Sequence, residues 1–302
     1  MVGALAMDVV VGELPTKIHP VAWFGGLVNL VDREYVRERL VGVALAVALP
    51  AGVALAIGIG VASLGVVHSI AGAAVGAFVL FVTTSFRALL ETGRRVGRLA
   101  SADVEAARTA LPALAGRDAA TLDAAAIRSA TIESLAENLA DGLVAPLVGF
   151  TVGAIVGRLL GVPPASALAL ACAGAVWVKG VNTMDSMWGY PGRPLGTGAA
   201  KLDDLAMWLP ARVTAGLVVL TGRSPGVVPR AARWRDAVAS PNAGWPMGVL
   251  AGVLDVRLEK PGHYVLNAEA RAPTPADVSR GLWHVGLAGL LAYALTGGVL
   301  WY

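Results

Sequence analysis

The residues best suited to chemistry lie in one stretch, from Asn182 to Arg212, between two strongly apolar segments. It carries three carboxylates, two basic groups and an amide: Asp185, Asp203, Asp204, Lys201, Arg212 and Asn182. Carboxylates hold divalent cations and basic side chains hold phosphates, so the combination suits phosphate chemistry. Beside a bilayer, such a cluster predicts a functional site. For Asp203 and Asp204 alone, capping of a helix that begins near Leu205 is an open alternative.

A second acidic group consists of Glu133, Glu137 and Asp141. The spacing of i, i+4 and i+8 aligns three carboxylates along one side of an α-helix. Like charges at that spacing repel, and no basic residue occurs from 129 to 157. We therefore expect either a divalent cation or a basic partner from elsewhere in the fold. Mg²⁺ is a good candidate because it is often held by one or two carboxylates together with substrate phosphates.

The composition places these groups in an integral membrane protein. Of the 302 residues, 56% are hydrophobic and only 15% are charged, and the mean hydropathy is +0.66. Soluble domains carry about 25% charged residues. No charged residue occurs from 40 to 86, which is long enough for two spans of about 20 residues each. The single Cys172 excludes an intrachain disulfide.

The apolar runs predict an all-α, polytopic helical protein with amphipathic and re-entrant helices on the cytoplasmic side. We expect one membrane-embedded domain over residues 1–302, with spans near 41–63, 66–86, 143–160, 164–180 and 282–302. Residues 205–222 contain Pro210 and Arg212, and an arginine at the centre of a span costs about 2.5–3.5 kcal/mol. That segment is therefore predicted to be bent at Pro210 or partly inserted.

The distribution of arginines predicts the orientation in the cell membrane. Seven arginines lie in one loop: Arg87, Arg94, Arg95, Arg98, Arg108, Arg117 and Arg128. By the positive-inside rule, loops 87–141 and 181–204 are expected on the cytoplasmic side, joined by a hairpin over 143–180. Both acidic groups would then face the cytoplasm, as a shared site requires. The net charge of +3 fits this orientation better than nucleic-acid binding.

This orientation predicts the outcome of a labelling experiment. Single cysteines introduced at positions 101 and 193 should both react with an impermeant maleimide from the cytoplasmic side. Position 101 lies in loop 87–141 and position 193 in loop 181–204, and both loops are expected on that side. Labelling from opposite sides of the membrane would contradict the orientation.

Isolated polar residues in turn-rich segments complete the set of candidates. His19 precedes a proline, Asn242 lies in the turn SPNAGWP, and His263 follows Pro261-Gly262. Asn138 lies beside Glu137. Each is a candidate for binding substrate or phosphate, although a lone histidine before proline is also a common structural residue.

Six motifs in this chain resemble the adenosylcobinamide-phosphate synthase family of cobalamin assembly, the CbiB/CobD group. They are HPVAWFG (19–25), ESLAENLADGLVAPL (133–147), NTMDSMWGY (182–190), AAKLDDLAMWLPAR (199–212), SPNAGWP (240–246) and RLEKPGHYVLN (257–267). The motifs run in family order from residue 19 to residue 267.

The resemblance implies an ATP- and Mg²⁺-dependent ligation. In that reaction aminopropanol phosphate, or a related amino-alcohol phosphate, is joined to a propionate of the corrinoid adenosylcobyric acid. The metal-ligand candidates are Glu133, Glu137, Asp185, Asp203 and Asp204, and the phosphate-binding candidates are Lys201 and Arg212. Glu137, Asp185 and Asp204 are the catalytic candidates, without a choice of general base. Membrane lipid is an expected partner, a homo-oligomer stays open, and nucleic acid is not expected.

Two other classes of protein share parts of this pattern. The Asn182-x-x-Asp185 and Asp203-Asp204 pairs are similar to the aspartate-rich boxes of intramembrane prenyltransferases, but the group at Glu133 fits those boxes poorly. A transporter could use intramembrane acids as a coupling-ion site. It would predict charges in the middle of spans and an internal repeat, whereas the spans near 41–86 are uncharged and no repeat is found.

Overall fold

The computed structural model describes residues 1–190 and 192–301, which are almost entirely helical. Fourteen α-helices follow in chain order: α1 Val2–Val11, α2 Pro20–Leu30, α3 Glu38–Val67, α4 Ser69–Thr83, α5 Phe86–Ala102, α6 Val104–Ala110, α7 Ala124–Leu139, α8 Ala145–Leu159, α9 Pro164–Trp188, α10 Thr197–Ala206, α11 Trp208–Gly222, α12 Val228–Trp234, α13 Gly244–Leu254 and α14 Pro275–Trp301. One antiparallel hairpin pairs β1 (Leu258–Lys260) with β2 (Tyr264–Leu266). The predicted all-α membrane class is confirmed.

Within the described residues, five helical stretches are long and apolar enough to cross a membrane. They are Glu38–Val67, Ser69–Ala102, Ala124–Leu159, Pro164–Trp188 and Pro275–Leu300. Each overlaps one predicted span, although the predicted end of the last, Tyr302, lies outside the described residues. The pair α10 and α11 would make a sixth span if its two halves are counted together.

The chain divides into two compact units, which we describe separately. The first contains Met1–Ser85, Asp141–Met207 and the end of the chain from Tyr293. The second contains Phe86–Ala140 and Trp208–Ala292.

Helices α8 and α9 of the first unit pack through a groove of small residues. Gly149, Gly153 and Gly157 recur every four residues on α8, the pattern by which membrane helices approach closely. A Cβ atom on Gly153 would lie 2.1 Å from the carbonyl oxygen of Leu170 on α9. A Cβ atom on Gly149 would lie 2.5 Å from the carbonyl oxygen of Gly174. The two backbones therefore touch, and no side chain fits between them.

This contact predicts that Gly153→Val destabilises the protein by at least about 1–3 kcal/mol, the usual cost of overpacking. The matched control is Gly52→Val on α3, where an added Cβ would meet no atom within 4 Å. Thermal unfolding in detergent should show a lower Tm for Gly153→Val than for Gly52→Val. Equal values for the two variants would contradict the close packing of α8 on α9.

The second unit is built around α7, whose inner face packs with α5 and α6. Val96, Ala107, Leu111 and Ile127 are fully buried in one cluster there. The hairpin of β1 and β2 joins the same unit, because the backbone N–H of Glu259 donates to the Ser129 hydroxyl on α7 at 2.7 Å. The helix and the hairpin therefore hold each other in place.

A π-helical turn over Ala140–Val144 follows α7 and carries Asp141. Two local predictions are wrong, each for a physical reason. The expected loop 181–204 begins later, because no glycine or proline interrupts α9 between Gly180 and its end at Trp188. The break expected at Pro210 instead falls at Met207, between α10 and α11. Pro210 is the third residue of α11, and a helix tolerates proline in its first turn.

Asp203 and Asp204 do not cap a helix N-terminus. They lie in the second half of α10, which ends at Ala206. Negative charge is unfavourable near the C-terminal end of a helix because of the helix dipole. The capping alternative is therefore wrong, and these carboxylates are placed where helix stability alone does not explain them.

Candidate active site

A mixed acid and amide group lies near the C-terminal end of α9 in the first unit. The buried side-chain amide of Asn182 is 3.4 Å from Asp141 Oδ2 and 3.5 Å from Asp203 Oδ1. Asp141 comes from the π-helical turn and Asp203 from α10. π-Helical turns occur frequently at functional sites, and this one presents a carboxylate toward α9. The sequence did not single out Asp141 together with Asn182, since 41 residues separate them.

Lys179 is a functional candidate that the sequence analysis did not select. It lies on α9, and the carboxylates of Asp141, Glu13 and Asp203 all act on its charge. It also borders a cavity of about 390 Å³, lined in part by Glu13, His19 and Thr183. An ammonium group beside carboxylates and a polar cavity can bind an anionic substrate group. The sequence did contain a signal for Lys179, because it is the only charged residue between Arg158 and Asp185.

Asp185 and Asp204 form a second acidic pair in the first unit. Asp185 is half-buried in the last turn of α9, and the charge of Asp204 acts on it. Two carboxylates within electrostatic reach are costly unless a cation joins them. Lys201 lies on the exposed side of α10, two residues before Asp203. This helix can therefore offer both a carboxylate and a basic group.

Glu133 has a basic partner, which was one of the two alternatives left by the sequence. Its fully buried carboxylate accepts hydrogen bonds from Arg117 Nη2 (2.6 Å), the Tyr264 hydroxyl (2.9 Å) and the Ser129 hydroxyl (2.8 Å). Burial opposes the charge of Arg117, but the Glu133 carboxylate outweighs it and raises the pKa of Arg117. Burial, reinforced by Glu133, also raises the pKa of Tyr264. A metal ion at Glu133 would therefore have to displace well-placed donors.

Glu137 differs from Glu133, although the two are one helical turn apart. No side chain or backbone group of the described residues donates a hydrogen bond to its carboxylate. The charge of Glu133 opposes its own charge, whereas Arg117 and Lys260 favour it. Within the second unit, Glu137 is the carboxylate of α7 that is available to a ligand or to a proton.

Arg212 lies among aromatic and amide groups in the second unit. Its Nη1 donates to Asn242 Oδ1 at 2.6 Å and to the Trp208 carbonyl at 2.9 Å. Its guanidinium lies 4.7 Å from the ring centre of Trp208 and 5.8 Å from that of Trp245. None of the described carboxylates forms an ion pair with it. The structure thus brings the predicted residues Arg212 and Asn242 together.

The other predicted binding residues make structural contacts or lie apart. His19 Nδ1 accepts from the Val21 N–H at 3.2 Å, so its proton is on Nε2, which lies 3.0 Å from Glu13. The Asn138 amide donates to the Leu114 carbonyl at 2.9 Å. His263 is exposed in the turn of the β-hairpin. A substrate role for these three stays a prediction.

The arrangement of the carboxylates decides whether they could hold Mg²⁺. No group of three or more His, Cys, Asp or Glu side chains is arranged for metal binding in the described part of the chain. The carboxylates instead come in pairs, Asp141 with Asp203 around Asn182 and Asp185 with Asp204. Because Mg²⁺ is commonly held by one or two carboxylates plus substrate phosphates, these oxygen-rich pairs fit it.

Comparisons with known proteins agree with the motifs. Residues 1–284 match the family described as CobD/Cbib protein. A probable cobalamin biosynthesis protein CobD of Methanothrix thermoacetophila is 35% identical, covering 98% of this chain and 95% of the relative. The cobalamin biosynthesis protein CobD of Mycobacterium tuberculosis (strain CDC 1551 / Oshkosh) is 36% identical, covering 93% and 88%. That of Dehalococcoides mccartyi is 31% identical, covering 99% and 96%.

No solved structure matches this chain. The family match and these identities extend over nearly the whole sequence, including all six motifs. The chain therefore belongs to the CobD/CbiB family of cobalamin biosynthesis proteins.

Proposed function

We propose that this protein acts in cobalamin biosynthesis as an ATP-dependent ligase that forms an amide. Its substrates would be adenosylcobyric acid and an amino-alcohol phosphate such as aminopropanol phosphate, and its product adenosylcobinamide phosphate. The relatives named cobalamin biosynthesis protein CobD support the pathway. We place the enzyme in the cell membrane with its acidic groups toward the cytoplasm, as the arginine distribution favours.

The observation that carries the chemistry is the contact of the Asn182 amide with both Asp141 and Asp203, with Lys179 nearby. Apolar packing does not require two carboxylates, an amide and an ammonium group at one end of a spanning helix. Of these groups Lys179 borders the polar cavity, and polar groups at membrane depth that face a cavity usually serve a ligand. This set can hold the oxygen atoms of a metal-bound phosphate and the negative charge that develops on them.

The reaction requires activation of a carboxylate. A propionate oxygen attacks the γ-phosphorus of ATP, the bond from that phosphorus to ADP breaks, and an acyl phosphate forms. The amine nitrogen then attacks the acyl carbon, inorganic phosphate leaves, and the nitrogen loses a proton. Overall, carboxylate, amine and ATP give amide, ADP and phosphate.

The chain's own residues would divide these tasks. Lys179 and Lys201 offer positive charge to phosphate oxygens. Glu137, Asp185 and Asp204 are the candidates to accept the amine proton. Asp185, Asp203 and Asp204 are the candidates to hold Mg²⁺, which would neutralise phosphate charge and orient ATP. Glu133 would act through Arg117 and Tyr264 by fixing the helix that carries Glu137.

A reconstituted assay tests the proposal. Purified protein in detergent is incubated with adenosylcobyric acid, ATP, Mg²⁺ and aminopropanol phosphate, and the corrinoid product is identified by mass spectrometry. We expect adenosylcobinamide phosphate and equal amounts of ADP, and no product when any one component is omitted. Folded protein that hydrolyses no ATP and forms no amide under these conditions would refute the ligation.

A further inference from the structure

We propose that Arg212 and Arg235 together form a binding site for a phosphate group on the face of Trp245. Of these two residues, the sequence analysis expected Arg212 to bind phosphate and assigned no role to Arg235. Both residues, together with Trp208, Asn242 and Trp245, belong to the second unit.

Two positive charges share one aromatic ring at this site. The Arg235 guanidinium lies 5.0 Å and the Arg212 guanidinium 5.8 Å from the ring centre of Trp245. Each cation is attracted to the ring face, but the two repel each other. The only carboxylate paired with either, among the described residues, is the exposed Asp236, 3.1 Å from Arg235 Nε. An anion bound between the guanidinium groups would remove the repulsion.

The hydrogen bonds of Arg212 use one terminal nitrogen of its guanidinium and leave the edge formed by Nε and Nη2 available to a ligand. Nη1 donates to both the Trp208 carbonyl and Asn242 Oδ1, whereas Nε and Nη2 donate to no acceptor of the described residues. The Nε and Nη2 edge of arginine offers two parallel N–H bonds and matches a phosphate bidentately. Asn242 is buried and fixes the orientation of that edge, so it is a positioning residue.

The motif SPNAGWP explains how the sequence assembles this site. The Ser240 hydroxyl accepts from the backbone N–H groups of Asn242 and Ala243, both at 3.3 Å. Gly244 lies so close to Arg235 that a Cβ atom would be 2.7 Å from the Arg235 Cα and carbonyl oxygen. Only glycine permits this approach, and the next residue is Trp245. The turn therefore brings Asn242, Trp245 and Arg235 to one place.

The ligand class is a phosphate with two or more free oxygens, and two sources could supply it. One is the phosphorylated amine of the proposed ligation. The other is the headgroup of an anionic lipid, because Trp208 is 56% exposed at the start of an apolar helix and tryptophan is common at membrane interfaces. Phosphate binding stands without the proposed function, and only its assignment to the amine substrate rests on that proposal.

Calorimetric titration of the detergent-purified protein with inorganic phosphate and with aminopropanol phosphate tests the site. Arg212→Gln and Arg235→Gln should each weaken binding roughly tenfold to a hundredfold, the usual range for a hydrogen bond to a charged group. The matched control is Arg230→Gln, because Trp234, at 5.9 Å from the Arg230 guanidinium to the ring centre, is its one ring or ion-pair partner among the described residues. Its affinity should equal that of the wild type.

Two further measurements separate the sources of the phosphate. In nanodiscs of phosphatidylcholine with and without phosphatidylglycerol, a lipid site would show competition between phosphatidylglycerol and phosphate, with an unchanged KM for aminopropanol phosphate in both variants. A substrate site would show a raised KM and no such competition.

Unchanged phosphate affinity in thermally stable Arg212→Gln and Arg235→Gln would overturn the proposal. If either glutamine variant unfolds, Arg235→Lys replaces it as the test. Lysine keeps the positive charge but lacks the two parallel N–H donors of the guanidinium, so this variant must still weaken phosphate binding. Phosphate binding without amide formation would refute the ligation alone.

Discussion

Asp185→Asn and Glu137→Gln are each expected to lower kcat/KM for amide formation by at least roughly a hundredfold, the scale of a lost general base. Both variants should fold normally. Asparagine and glutamine keep the shape of the side chain, and each removes a charge that a neighbouring carboxylate opposes, Asp204 for Asp185 and Glu133 for Glu137. Steady-state kinetics with limiting Mg²⁺, together with the thermal unfolding midpoint, measures both effects.

Glu105→Gln is the matched control for these variants. Glu105 has an 80% exposed side chain on α6, so its loss should alter neither kinetics nor Tm. Near-normal turnover of Asp185→Asn or Glu137→Gln at limiting Mg²⁺ would remove that residue from the site. Lost turnover together with a large fall in Tm would instead indicate a structural role.

The sequence predicted the features that depend on composition and on short spacing. The uncharged stretch from 40 to 86 indicated helices because a bilayer requires about 20 apolar residues per span. The carboxylates at Asp185, Asp203 and Asp204 were selected as candidates because charge is rare in such a chain, and their role stays a prediction. A bend in residues 205–222 was expected because Pro210 and Arg212 interrupt them, and the chain does bend in this segment, but at Met207 and not at Pro210.

The features that the sequence missed depend on tertiary contacts. Glu133 is bonded by Arg117 and by Tyr264, which lie 16 and 131 residues away, and no periodicity links such positions. The π-helical turn at Asp141 adds backbone within an apolar run that reads as continuous α-helix. In the sequence, Arg235 is one of several basic residues in a hydrophilic segment. Its place beside Trp245 depends on the close approach of Gly244, which the sequence does not show.

Arg117→Met is expected to destabilise the protein by about 3–5 kcal/mol, the cost of leaving a buried charge without its partner. Glu133 is fully buried, and Arg117 is 11% exposed. Methionine fills much of the same space, so the loss reflects charge more than packing. Chemical or thermal unfolding in detergent measures the change in the free energy of unfolding.

The matched control is Arg128→Met, because the one acceptor that Arg128 has in the described part of the chain is a backbone carbonyl, that of Pro273, at 2.9 Å. It should cost less than Arg117→Met, about 1.5–3 kcal/mol, the usual contribution of one hydrogen bond to a charged group. The double variant Arg117→Met with Glu133→Gln should recover most of the lost stability, because a neutral amide can accept from one of the Tyr264 and Ser129 hydroxyls through its oxygen and donate to the other through its nitrogen. Additive costs in the double variant would contradict a specific Arg117–Glu133 ion pair.

The pH dependence and the response to Mg²⁺ separate an ion pair from a metal site. Glu133 raises the pKa of Arg117, so the stability from this pair is complete below the ordinary arginine pKa and is lost only at far higher pH. The charge of Arg117 therefore adds no pH dependence to the stability of the wild-type protein between about pH 6 and pH 9. If Glu133 were a ligand of Mg²⁺, added Mg²⁺ would replace the missing cation and restore the Tm of Arg117→Met. An ion pair predicts that Mg²⁺ leaves that Tm low, because the donors from Ser129 and Tyr264 already occupy both carboxylate oxygens.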